Sequence, residues 1–283
     1  MMDSLIVEND LLRLNVTAQG AAVLALESLL HRRPVLRPWI SSARWHPGES
    51  ALFPMLPLAN RVAGNRFIWR GNTVTLPESP LDPQFFLHGD GWLGRWDIVD
   101  RGPDFVTLTT FSQHVCGLHY RASLAYRLAG NIFQAELTLV HIGDTPMVYG
   151  AGFHPFFHLE ADSRIQFLAS GFWPEGKQHL PLAWQDSLPP EADFSLPVRP
   201  ANDWLNVGYS GWNGAAVIES GAMRVSMFAD TPYLMVFRMA DRPFICLEPQ
   251  THPVNAHNMP GLPGLVVLGR GDGLRLSMQI RVE

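Results

Sequence analysis

Period-two alternation of apolar and polar positions dominates the chain, and that spacing predicts strands that bury one face. The C-terminal run is the clearest case: Leu274, Leu276, Met278, Ile280 and Val282 interleave with Arg275, Ser277, Gln279 and Arg281. Tyr120 to Leu128 repeats the pattern, with Tyr120, Ala122, Leu124, Tyr126 and Leu128 on one side. Phe133 to Leu139 follows after Gly130-Asn131, a turn signal between two strands. Near the start, Leu12, Leu14 and Val16 alternate with Arg13 and Asn15. Ala21 to His31 has helical composition, but among so many strands it reads as another one. The 24 glycines and 23 prolines punctuate short strands throughout, which favours a sandwich or barrel-like fold.

Composition narrows the picture. With 47% hydrophobic and 17% charged residues in 283, there is material for a core and no signature of disorder. No repeat or linker divides the chain, and the Pro189-Pro190 and Pro197 to Pro200 stretches read as surface loop, so residues 1–283 are expected to form one domain. The net charge of −5 and scattered basic residues argue against a nucleic-acid partner. Nothing approaches the roughly 18 apolar residues of a membrane helix, and Met1 to Glu8 lacks the form of a leader. Cys116 and Cys246 are too few for a disulfide framework and fit reduced, buried thiols in a cytoplasmic protein.

Four segments place titratable residues in apolar or glycine-rich surroundings. Arg61 follows the apolar run Phe53 to Asn60; it is either a loop arginine or, if buried, one that needs a ligand's oxygens. His88 leaves an apolar run and enters the turn Gly89-Asp90-Gly91, where backbone can approach a ligand. His154 precedes Pro155, which holds it extended among aromatics, where burial tunes its protonation. Alone, each histidine is more often a hydrogen-bonded structural residue. Glu248 follows four apolar residues on an expected interior strand. It is either neutralised by an arginine or a carboxyl whose pKa rises into the range of a general base near neutrality.

A metal is not indicated. His154 and His158 would stand roughly 13 Å apart on a strand, and His252 and His257 lack a companion cysteine or carboxylate motif. Phosphate loops, dinucleotide fingerprints and serine elbows are absent, so no cofactor is expected.

Taken in order, Asn60-Arg61…Gly64…Phe67, Leu87-His88-Gly89, His154-Pro155-Phe156-Phe157 and Leu247-Glu248-Pro249 resemble the aldose 1-epimerase (mutarotase) family. Trp92-Leu93-Gly94 and Gly211-Trp212-Asn213-Gly214 look like a bacterial branch of it. The resemblance implies a large antiparallel β-sandwich with the sugar site on a concave face. It implies Glu248 as base, His154 as acid, and His88 and Arg61, with Asn60, orienting the substrate. One position departs: where the family commonly presents an aspartate to the sugar hydroxyls, this chain has Asn206, and Asp203 is three residues out of register.

The expected activity is interconversion of the α and β anomers of a free aldose, a small-molecule substrate handled by a monomer or homodimer. A related activity on a hexose 6-phosphate would want Arg61, Arg66, Arg70 and Arg95 at the site mouth. A sugar-binding module without catalysis would have no reason to keep both histidines and the glutamate.

Overall fold

The computed structural model describes residues 4–40 and 45–283; the first three residues of the segment read for a leader lie outside it. Its architecture is two large antiparallel sheets, of ten and eight strands, joined by turns and short 3₁₀ segments. No helix among the described residues is long and apolar enough to cross a membrane.

The alternating segments become the strands they predict. Three of them, His119–Ala129, Ile132–His141 and Gly273–Val282, are neighbours in the middle of the eight-stranded sheet. Their register sets Leu108, Leu124, Leu137 and Leu276 in one row across four strands. That row faces Leu12, Leu14 and Leu26 of the ten-stranded sheet within a single apolar cluster, so the two sheets enclose the core as a sandwich. The helix-like stretch is indeed extended, as Val23–Ser28, between a turn at Gly20-Ala21 and another after Ser28. Pairing on both sides overrides its local propensity.

Two strands at the centre of the ten-stranded sheet position everything that follows. Gly152–His158 and Phe244–Gln250 pair antiparallel and are buried on both faces. Their alternation divides the side chains cleanly. Phe153, Phe157, Ile245 and Leu247 enter the sandwich core, whereas Phe156, Phe244 and Cys246 join a second, smaller apolar cluster on the opposite face. His154 and Glu248 share that opposite face by parity.

The registers Gly152 with Gln250 and Phe156 with Cys246 flank His154 and Glu248, leaving the two across from each other. Pro155 has no N–H to offer the ladder there. On its other side this strand pairs with Leu52–Met55, which sets Phe53 opposite His154.

The turn after His88 brings two backbone segments into close approach. Gly89 has φ +72°, and a Cβ built on it would lie 2.1 Å from the Leu56 carbonyl oxygen. Gly89→Ala is therefore expected to lower stability by more than about 2 kcal/mol, through both the left-handed backbone and the backbone clash. A denaturation midpoint equal to that of the parent chain would show that the turn relaxes freely.

Candidate active site

A cavity of about 280 Å³ opens on the face opposite the core and holds Asn60, Arg61, His88, His154, Asn206 and Glu248 in its wall. All six sequence-derived positions thus meet in one place. The volume lies near the lower end of ligand pockets, a size for one small ring.

Glu248 and His154 form the floor. Glu248 Oε1 lies 3.1 Å from His154 Nε2, and both side chains are almost wholly buried. The imidazole is held between two rings, with Phe53 at 4.6 Å and Phe156 at 4.5 Å between centroids. This packing fixes its orientation and strips it of water. Its Nδ1 is buried without a partner, so the Glu248 contact at Nε2 is the ring's hydrogen-bonding anchor.

Burial, and then the charge of Arg37, push His154 down to about 3. Burial likewise pushes Glu248 up to about 8, against the opposing pull of the Gln250 amide at 3.2 Å and the charge of Arg61. Near neutrality the pair therefore holds one proton, resting on the carboxyl.

His88 and Asn60 exchange two bonds. The His88 N–H donates to the Asn60 carbonyl at 3.0 Å, and the Asn60 N–H donates to His88 Nδ1 at 3.1 Å. With Nδ1 accepting, the ring proton belongs on Nε2, which makes neutral His88 a donor toward a ligand. Burial, with His154 and Arg61 nearby, lowers its pKa well below the ordinary value. Arg61 donates to Asn60 Oδ1 at 3.1 Å, so its guanidinium is oriented by the neighbouring amide. The preceding amide, of Ala59, donates to His252 Nε2 at 3.1 Å. This gives His252 a structural role as a buried acceptor.

Asn206, the position at which the resemblance expects an aspartate, stands in the wall, and Asp203 is exposed and outside it. Asn206 Nδ2 donates to Glu175 Oε1 at 2.5 Å, which leaves Oδ1 as the atom available to a sugar hydroxyl. Glu175 also accepts from Trp204 Nε1 at 2.7 Å and pairs with His179 Nδ1 at 2.5 Å. Burial pushes the Glu175 carboxyl up, but these three donors outweigh it and hold it below the usual carboxylate range.

Several wall residues escaped the sequence reading. Arg37 lies over the Phe156 ring at 3.5 Å, Arg242 lines the same wall close enough for its charge to act on Arg37, and Trp92 and Trp204 supply indole surface. Only Trp204 carries a signal of its own once the fold is known, because it remains 45% exposed at the mouth of a cavity. Conversely Arg66, Arg70 and Arg95, read as contributors to an anion-binding mouth, are exposed and outside the wall. Arg66 opens and Arg70 turns the small hairpin Arg66–Trp69 and Asn72–Thr75, which carries them away from the site.

Cys116 is only partly buried, whereas Cys246 is a free, buried thiol. Its Sγ converges with ligand atoms of His154 and Glu248, all within 4.8 Å of one another. A thiophilic cation seated there would displace the shared proton. His158 belongs elsewhere, 3.3 Å from Glu160.

The geometry can be set beside known proteins. The family model for aldose 1-epimerase matches residues 3–281. The uncharacterised protein YphB of Escherichia coli K12 is 34% identical over 284 residues, covering 96% of each chain. A crystal structure from Escherichia coli K12, of a protein provisionally assigned as an aldose 1-epimerase, superimposes with TM-score 0.93 at 33% identity over 100% of this chain and 99% of that one. A galactose 1-epimerase from Lactobacillus acidophilus shares the fold at TM-score 0.81 and 17% identity, over 99% and 94% of the two chains. A match to one family model over nearly the whole length, on an all-β sandwich, identifies this chain as a member of the aldose 1-epimerase family.

Proposed function

We propose that this protein is an aldose 1-epimerase that interconverts the α and β anomers of an aldose, with Glu248 and His154 moving the protons. The observation that carries this reading is the 3.1 Å contact of the two groups in the wall of a sugar-sized cavity, their proton affinities shifted in opposite directions.

Opening a hemiacetal ring needs a base at the C1 hydroxyl and an acid at the ring oxygen, with no change of oxidation state. The reactive form has the single proton on His154 and a carboxylate on Glu248, which Arg61 favours electrostatically. Glu248 takes the C1 hydroxyl proton, the C1–O5 bond breaks, and His154 Nε2 gives its proton to O5. Rotation about C1–C2 and reclosure with the roles exchanged deliver the other anomer and restore the pair. His88, as a neutral donor, and Arg61 hold and polarise the oxygens around the reacting carbon. Asn206 Oδ1 accepts from a ring hydroxyl.

Glu248→Gln keeps the shape but cannot accept the C1 proton. Polarimetric mutarotation of a turned-over aldose should fall by at least roughly 10³-fold, and full activity would remove Glu248 as base. His154→Asn should cost at least roughly 10²-fold with the fold retained by circular dichroism. Retained sugar binding but unaccelerated anomer exchange in the parent protein would favour the non-catalytic reading.

The pH profile provides a third check. The active pair holds one proton, so activity should persist through neutrality and fall above about 8, where the pair loses it. The acid limb, where His154 gains a second proton, should lie near pH 3 or merge with unfolding. A rate still climbing between pH 8 and 9 would mean that a lone carboxylate does the work.

A further inference from the structure

The cavity wall is more basic than proton transfer requires. Arg37, Arg61 and Arg242 all line it, and none makes an ion pair among the described residues. Arg37 is held by the carbonyls of Ser50, at 3.0 Å, and Gly48, while Arg61 leans on the Asn60 amide. The carboxyl groups in the same wall are exposed Glu49 and Glu248, which is protonated near neutrality. A chain of net charge −5 thus turns a positive surface toward its ligand.

Arg242 also lines a neighbouring cavity of about 530 Å³, together with Arg199 and Arg238. Arg238 is only 8% exposed, and its Nε and Nη1 are buried without acceptors. Its Nη2 reaches Asn202 Oδ1 at a long 3.4 Å. A buried guanidinium left in this state is costly, which marks the place as short of an oxyanion. The acidic groups there do not fill the gap. Glu160 is taken by Arg33 at 3.0 Å, and Asp241 accepts from the Asn202 amide at 2.8 Å.

We propose that the substrate is an aldose bearing an anionic group, a phosphate or a carboxylate, remote from its reacting carbon. Arg242 receives that group where the two cavities meet, backed by Arg199 and Arg238. The proposal rests on the epimerase reading of the deep site. It places C1 at Glu248 and the charged end at the rim, where a planar guanidinium can meet two oxygens at once.

The test is a ratio: kcat/KM for a hexose 6-phosphate, and for a hexuronate, each over that of the parent neutral hexose, by NMR anomer exchange. At least one anionic sugar should be preferred by about tenfold or more, as one charge-assisted hydrogen bond provides. The two arms tell phosphate from carboxylate. The ratio should collapse toward one in Arg242→Gln and fall in Arg199→Gln, both exposed positions where folding is not at stake. Inorganic phosphate should compete with the preferred anionic sugar.

A ratio at or below one in the parent protein, or one unmoved by both variants, overturns the proposal. Should no aldose exchange at all, calorimetric titration of the same sugars reads the charge preference without turnover. Anionic sugar bound selectively, and lost in Arg242→Gln, then upholds the charge assignment while the epimerase reading fails; equal or absent binding overturns both.

Discussion

A carboxyl buried in a sheet whose other face is the hydrophobic core constrains the rest of this molecule. Glu248 sits on a strand with no exposed residue, and a charge there would be costly without compensation. The fold answers with a neighbouring imidazole and one proton shared between them, rather than with a tight arginine pair. Arg61 acts from a distance, enough to lower the cost of ionisation without abolishing basicity. The aromatic walls at Phe53 and Phe156 keep water from levelling the two affinities.

Precision in this site comes from elements that never touch a ligand. Asp90, two residues beyond His88, accepts from Tyr120 at 2.5 Å, from Ser112, and from His114 at 2.8 Å. Ser112 and Tyr120 lie on the strands Phe105–Gln113 and His119–Ala129 of the eight-stranded sheet. The loop carrying His88 is therefore anchored to the far sheet of the sandwich. Glu175 plays the equivalent part for the mouth, gathering Asn206, Trp204 and His179 on one carboxylate. Rotamers locked in this way are what a near-attack geometry demands.

How much of this was legible in the sequence depended on the kind of signal. The strands around Leu124, Leu137 and Leu276 announced themselves because a half-buried strand must alternate. Glu248 and His154 stood out because each interrupts an apolar stretch, and the interruption itself is the anomaly. Arg37 and Arg242 gave no such sign. They precede Pro38 and Pro243 in ordinary connections, and their relevance arises only when the sheet brings residues some two hundred positions apart into one cavity wall. Glu175 was silent for the same reason: its partners come from the separate segments 177–179 and 204–206. Arg66 and Arg70 miss the site because they ride on a two-stranded hairpin outside the cavity wall.

Two successive amides, those of Ala59 and Asn60, terminate on imidazole nitrogens instead of carbonyl oxygens. A carbonyl accepts at any acidity, but an imidazole accepts only while that nitrogen is bare. Burial holds His252 down to about 4 and His88 lower than its ordinary value, so both latches stay closed across the physiological range. Acid would open them from within, freeing the segment that aims Arg61 while the carbonyl-based ladders of the sandwich remain zipped. The grip on the ligand and the integrity of the scaffold thus answer to different chemical conditions.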